Sequence, residues 1–265
     1  MAGQLFTDQT GRQVFAGQAT RIVSLVPSIT ELCAALGLEQ EVVGITRFCV
    51  APPDWYRSKT RIGGTKNPDT EKIIALRPDM VLANKEENTA SDIETLTRAG
   101  IPVWVSDIRN LAQAIGMMRD VGKLTGRGRE AAALMQAIEV LLGAAPPAPV
   151  SAVCLVWWNP MMIAGEDTFI HAMMEAAGFQ NALTGLHTSR YPEVTDVQLI
   201  AASPRVLLLP SEPFPFSEKH VAHFRALLPA AEVVRVPGEF LSWYGSRMIT
   251  AIPHLRRLSE TLAQT

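Results

Sequence analysis

Apolar positions recur at helical spacing in residues 127–142: Ala131, Leu134, Met135, Ile138, Leu141 and Leu142, with Arg129, Glu130, Gln136 and Glu139 between them. One apolar stripe with polar residues around it predicts a single amphipathic helix. The proline-rich stretch 144–149 follows, which cannot continue a helix and prefers an extended path. On either side, short apolar runs alternate with helical patterns. The pattern predicts an α/β chain of two Rossmann-like lobes with mostly parallel sheets, joined by one long backbone helix. The lobes are residues 1–123 and 150–265, with the helix and its proline linker at 124–149.

In the first lobe, residues 5–15 pattern as a hairpin turning at Asp8-Gln9-Thr10-Gly11. Residues 21–26 are a continuous apolar run of the buried parallel type, ended by Pro27. Ser28-Ile29-Thr30-Glu31 reads as a capping box for a helix at 29–36. A strand at 41–46 leads into a long loop at 47–60. Asn67-Pro68 reads as cap and first residue of a helix, and Ser91 as the cap of another. Strands are expected at 80–83 and 103–105, and a helix at 110–121.

The second lobe repeats the scheme. A strand at 153–157 is followed by a short return strand at 161–164, and Asp167 or Thr168 caps a helix ending at Gly178. Residues 179–194 read as a loop, and Thr195-Asp196-Val197-Gln198 as a capping box. Strands at 206–209 and 232–236 flank a helix at 218–228. A loop at 238–244 precedes a last helix, interrupted near Pro253.

The charge balance, 24 basic against 26 acidic residues, removes nucleic acid and anionic membrane surfaces as partners, because both need a basic excess. No apolar run approaches the roughly 20 residues of a membrane span. The first residues lack the charged and apolar regions of a secretory signal, so the sequence as written reads as cytoplasmic, or periplasmic if a signal has been removed. Three widely spaced cysteines, Cys33, Cys49 and Cys154, point to a reduced compartment.

Ligands of parallel α/β sheets sit beyond the carboxyl ends of the strands. Those ends carry Pro27 and Ser28; Arg47, Phe48 and Cys49; Gly64 and Lys66; Lys85 and Glu86; Trp158; Glu212 and Phe214; and Trp243, Tyr244 and Arg247. Tyr56, Tyr191, Tyr244, Trp55, Trp158 and Trp243 all fall in expected loops, where aromatic rings either grip a ligand or staple the loop to its lobe. Arg47, Lys66, Lys85, Arg190 and Arg247 could meet anionic groups. The Ser28 helix N-terminus could do the same. There is no P-loop, no Gly-x-Gly-x-x-Gly after a strand and no Gly-x-Ser-x-Gly. Glu86 and Glu87 are adjacent carboxylates that point apart, His220 and His223 read as a solvated helix face, and Cys49 is the one cysteine placed for a ligand role.

The run Arg21-Ile22-Val23-Ser24-Leu25-Val26-Pro27-Ser28-Ile29-Thr30-Glu31, with Arg61-Ile62-Gly63-Gly64, the 67–83 segment, Leu124-Thr125-Gly126-Arg127, the 164–170 segment and Tyr191-Pro192-Glu193-Val194-Thr195, resembles the helical-backbone metal-receptor superfamily. The nearest likeness is to the cobalamin-binding branch of ABC transporter substrate-binding proteins, and it spans nearly the whole chain. The resemblance implies a metal chelate or corrinoid held between two lobes with little hinge motion, no catalytic residue and no required cofactor. It also implies one acidic residue per lobe docking on an ABC permease. Glu71 takes the first position, whereas Val197, beside Asp196, takes the second. Asn84-Lys85-Glu86-Glu87-Asn88 and Ser242-Trp243-Tyr244-Gly245-Ser246-Arg247 depart from the transport proteins and imply a more polar site.

The reading is a non-enzymatic binding protein for a metal-containing cofactor or chelate, cobalamin first and a ferric siderophore or haem second, serving as substrate-binding component or cytoplasmic carrier. Two alternatives stay open at this stage. One is an enzyme or sensor acting on a small anion or chelate through Glu86, Glu87 or Cys49; the other is direct metal binding by His187, Glu212 and Cys49.

Overall fold

A polar turn between alternating residues makes the hairpin of β1 (Gln4–Thr7) and β2 (Gln13–Ala16), the first element of a computed structural model that describes residues 3–186 and 189–264. The Asp8 carboxylate fixes that turn by accepting from Thr10 and Arg12 N–H groups, each at 2.9 Å.

The short apolar runs become buried strands. β3 (Ile22–Ser24), β4 (Val42–Ile45), β5 (Thr60–Arg61), β6 (Met80–Asn84) and β7 (Val103–Ser106) form a sheet in the order β5-β4-β3-β6-β7, every neighbouring pair parallel. A second sheet runs β10 (Phe179–Asn181), β8 (Val150–Trp157), β11 (Val206–Pro210), β12 (Glu232–Val236), again parallel, with β9 (Met162–Ile163) antiparallel to β8. The helices are α1 (Pro27–Ala35), α2 (Pro53–Ser58), α3 (Thr70–Ala75), α4 (Ala90–Arg98), α5 (Leu111–Leu124), α6 (Gly128–Gly143), α7 (Phe169–Ala176), α8 (Asp196–Ala202), α9 (Glu218–Leu227), α10 (Glu239–Ser242) and α11 (Met248–Gln264). The fold class is α/β with two parallel sheets, as the patterning implies.

The chain divides into two compact units. Unit 1 takes the chain through Ile108, Ala112–Gln136 and Tyr244–Ser246; unit 2 takes Arg109–Leu111, Ala137–Trp243 and the chain from Arg247 onward. The α6 helix is therefore shared, its first half in unit 1 and the rest in unit 2.

Several local expectations are corrected. α1 starts at Pro27 with Val26 as its cap, because proline's fixed φ suits the first helical position; Ser28 lies inside the first turn and makes no capping bond. The α3 cap is Asp69, whose side chain accepts from Lys72 N–H, not Asn67, and the α4 cap is Thr89, not Ser91. Thr168 caps α7, and Thr195 with Gln198 forms the expected capping box of α8. The expected 47–60 loop contains α2, so Trp55 and Tyr56 are helical; the 179–194 and 238–244 loops contain β10 and α10. α11 continues through Pro253, its buried Met248, Ala251, Ile252 and Leu255 holding the helix across the lost hydrogen bond.

Candidate functional site

In each sheet one pair of adjacent strands sends its connections to opposite sides, and the crevice outside their carboxyl ends is where open α/β sheets bind ligands. In unit 1 that pair is β3 and β6, in unit 2 β8 and β11.

The unit 1 crevice is polar. Beyond β6, Asn84 folds the following loop onto itself: its Oδ1 accepts from the Glu86 and Glu87 N–H groups at 2.8 and 3.1 Å, and its Nδ2 donates to Ser106 Oγ at 3.0 Å. Asn88 closes the loop from the other end, its Oδ1 accepting from Asn84 N–H at 2.8 Å and its Nδ2 donating to the Thr65 carbonyl at 2.9 Å. The loop thus holds half-buried Glu86 and Glu87 in fixed positions. Lys85 pairs with Asp107 at 2.9 Å, and Lys66 donates to the Glu86 carbonyl. Tyr244–Ser246 belong to this unit, so the middle of the second segment lies in the same unit as Asn84–Asn88. Burial pushes the Tyr244 phenol well above the usual tyrosine range, Glu87 adds to the push, and the Ser28 and Ser106 hydroxyls hold it back in part. Tyr244 is therefore a neutral donor at any physiological pH, not a phenolate.

Other expected residues sit nearby with different roles. Cys49 is fully buried, its Sγ 3.1 Å from Thr30 Oγ1 and 3.1 Å from Thr46 Oγ1. Burial raises its thiol pKa, which makes it a packed thiol instead of an exposed nucleophile or ligand. Pro27 and Ser28 are buried in the first turn of α1. A Cβ at Gly64 would come within 2.4 Å of Asn67 Oδ1, so a larger residue there requires the Asn67 side chain to swing away. Arg47 lies over the exposed Phe48 ring, 5.1 Å from its centroid.

The unit 2 crevice is aromatic. Trp157, 41% exposed, meets Phe214 edge-on at 5.5 Å; Trp158 meets His220 at 5.3 Å, His223 at 4.9 Å and Phe224 at 5.4 Å; Phe214 meets Phe216 at 4.9 Å. Trp158 and Phe214 pack on the apolar core around Leu155, Leu209, Phe216 and Phe224, so one side of the cluster is core and Trp157 is its open edge. His220 is not on a solvated face as expected: it is 4% exposed among the Trp158, Phe214 and Phe216 rings, while His223 is exposed. Its position three residues after the helix cap Ser217 was the signal available for this role. Its Nδ1 accepts from the Ser217 N–H at 2.9 Å, which places the proton of the neutral ring on Nε2.

Burial, with Lys219 and His223 nearby, lowers the His220 pKa below its ordinary 6.5. The unfolded chain then binds the proton more readily than the native one, so stability is full above about pH 6.5 and falls as pH drops from there through the lowered native pKa. Thermal unfolding followed from pH 7.5 to 5 should show this acid loss, and His220→Gln should flatten it. An equal slope in the variant would assign the loss elsewhere.

Glu212 is half-buried, and its Oε1 accepts from Ser242 Oγ at 3.0 Å and from the Trp243 indole N–H at 2.6 Å. Burial raises its pKa. Arg247 lies over the Trp243 ring at 5.2 Å and the Phe240 ring at 5.9 Å. Arg190 sits 3.6 Å from Asp167, which also pairs with Arg109 at 3.0 Å, and Tyr191 is half-buried beside it. Glu71 in α3 and Val197 in α8 are exposed, Val197 at 74%. His187 lies outside the described residues, and among those described no group of three or more His, Cys, Asp or Glu side chains could hold a metal ion. No helix among the described residues is long and apolar enough to cross a membrane. Ser106 was not singled out by the sequence, and Trp157 and Phe216 were not among the expected site residues; their neighbours are set by strand order, which composition does not carry.

Residues 22–220 match the family described as periplasmic binding protein. An uncharacterized ABC transporter substrate-binding lipoprotein of Bacillus subtilis is 28% identical over 71% of this chain and 62% of its own length. A cobalamin-binding protein of Halobacterium salinarum is 31% identical over 71% of this chain and 53% of its own length. The chain thus spans less than two thirds of both relatives. Among solved structures, a periplasmic vitamin B12-binding protein of Vibrio cholerae superposes with a TM-score of 0.79 at 20% identity, covering 93% of this chain and 99% of that one. A periplasmic haem-binding protein of Roseiflexus does so with a TM-score of 0.80 at 24% identity, covering 94% and 99%.

Proposed function

Because the chain belongs to the periplasmic binding protein family, and is a binding protein and not an enzyme, we propose that it holds a metal-containing chelate for an ABC permease, cobalamin or another corrinoid first and haem or a ferric siderophore second. The observation that carries this reading is the aromatic crevice of unit 2, where Trp157 and Phe214 offer a large apolar contact surface at the β8/β11 switch point. A corrinoid or porphyrin presents the matching apolar ring. The unit 1 crevice supplies different chemistry: the neutral Tyr244 phenol and the carboxylates of Glu86 and Glu87 suit amide and hydroxyl groups at a ligand's rim. Cobalamin stands first because its periphery is rich in amides and because relatives bear that name.

Of the two tryptophans at the end of β8, Trp157 is proposed as the ligand-facing one and Trp158 as its support. Docking on a permease is assigned to Glu71 on α3 and to the α8 surface around Asp196 and Val197. Location outside the cytoplasmic membrane follows from that partner, and corresponds to the periplasmic branch of the sequence reading.

The test is thermal unfolding with cyanocobalamin, haem and a ferric siderophore in turn. At a hundredfold excess over Kd, a ligand specific to the native state stabilises by about 2.7 kcal/mol, a rise of roughly 5–10 °C for a chain of this size. No shift with any of the three would overturn the reading.

A further inference from the structure

The segment that leads into β6 in unit 1 and the segment that leads into β11 in unit 2 are built alike. In the first, Asp69 caps α3 by accepting from Lys72 N–H, Ile73 is fully buried, Arg77 takes a φ of 49°, and Pro78 stands before the strand. In the second, Thr195 caps α8 by accepting from Gln198 N–H, Leu199 is fully buried, Ser203 takes a φ of 44°, and Pro204 stands before the strand. Cap, buried anchor, left-handed residue and proline fall at the same offsets, so each exposed position of α3 has a counterpart on α8. Ile74 matches Ile200 and Ala75 matches Ala201, all four exposed. The position two residues after the cap breaks the match, with Glu71 on α3 and Val197 on α8. Val197, Ile200 and Ala201 stand at i, i+3 and i+4, so they share one side of α8, with Val197 74% and Ile200 50% exposed. Valine is a poorer helix former than glutamate, so helix stability does not ask for it at an exposed position.

We propose that α8 docks on the ABC permease through this apolar side, with Val197 at its centre, and that the permease receives it in an uncharged apolar pocket where α3 meets a cationic one. This rests on the reading of the chain as a permease-coupled binding protein and names the chemistry of the partner surface. The repeat identifies the occupant, because α8 is the counterpart of the helix to which docking by Glu71 is assigned. A second copy of the chain does not fit, since three side chains fall far short of the roughly 20–30 residues a side of a stable dimer. Asp196 does not stand in for Glu71: it matches Thr70 and lies about 100° round the helix from Val197. The two contacts then differ in their physics. An ion pair of Glu71 is screened by salt, whereas burial of Val197 and Ile200 is not. An apolar pocket also rejects a carboxylate, since nothing in it pairs with the charge.

A photo-crosslinking residue in place of Ala75, one turn from Glu71 on α3, identifies the permease in membranes of the organism that makes the protein. The affinity of the chain for that permease in lipid nanodiscs is then measured at low and high salt. Val197→Ala should weaken docking by about tenfold at both, the scale of two buried methyl groups. Val197→Glu should weaken it further, because the pocket must also bury an unpaired charge. Glu71→Gln should weaken it at low salt, with the loss shrinking at high salt. Thermal unfolding of each variant verifies that the fold is kept. Tighter docking of Val197→Glu would show a cationic pocket facing α8, and unchanged docking in both Val197 variants would show that α8 is outside the contact. Either result overturns the inference and leaves docking through α3 standing. Capture of another copy of this chain from position 75, or of no ABC permease, would remove the docking reading and the inference with it. Chelate binding, measured on the chain alone, would be untouched by any of these results.

Discussion

Trp158→Ala is expected to lower the stability of the protein by about 3 kcal/mol, the low end of the range for removing a large aromatic side chain, because the ring is only half-buried. The ring touches His220, His223 and Phe224 edge-on and packs on the core that β8, β11 and α9 share. Alanine would leave a gap that the stiff strand ends cannot close, and would strip the imidazole of His220 of one aromatic neighbour. A fall of roughly 6–12 °C in the thermal midpoint would register it. Trp158→Phe should recover most of that loss, since the phenyl ring restores much of the volume. Trp157→Ala makes the contrast. That ring is 41% exposed, so its removal should cost much less stability yet weaken chelate binding by about tenfold. A loss under about 1 kcal/mol in Trp158→Ala would show that the cluster is not held by this ring.

The parts of the structure that were legible in the sequence are those set by local periodicity. The stripe of residues 127–142 is α6, with Ala131 and Ile138 fully buried and Leu134, Met135 and Leu141 flanking them. The apolar runs at 21–26, 80–83 and 206–209 became central strands because nothing but a buried sheet accommodates continuous Val, Ile and Leu over so few residues. What stayed hidden is set at a distance. Two tight elements, α2 and α10, are too short to show a period. Cys49 reads as an accessible loop thiol until Thr30, 19 residues away, is brought onto its sulfur. Glu212 reads as a free carboxylate until Trp243, 31 residues on, donates to it. In both cases a polar side chain that looked available for chemistry is committed to structure. Composition alone cannot tell which groups at the strand ends have been spent on holding the loops.

Asn84→Ala is expected to cost about 2–4 kcal/mol, because one side chain satisfies four groups in a buried corner. It accepts from the Glu86 and Glu87 N–H groups and donates to the Ser106 hydroxyl and, at 3.3 Å, to the Ser106 carbonyl. Hydrogen exchange should show the Glu86 and Glu87 amides losing protection in this variant, with the β8–β11 amides of unit 2 unchanged. Asn84→Asp tests the electrostatic side of the same corner. It keeps the acceptor for both N–H groups but adds a carboxylate to a buried position close to Glu86, Glu87 and Asp107. Burial and those neighbours should raise its native pKa above the roughly 3.9 of an unfolded aspartate, so the native state binds the extra proton more tightly. Its stability relative to Asn84→Ala should then be greatest in acid and should fall as pH rises through the raised native pKa. Comparing the two variants at pH 5 and pH 8 reads the difference directly. A constant gap would mean that water reaches the corner and screens it. The carboxylates of Glu86 and Glu87 would then be ordinary surface charges, screened like any others.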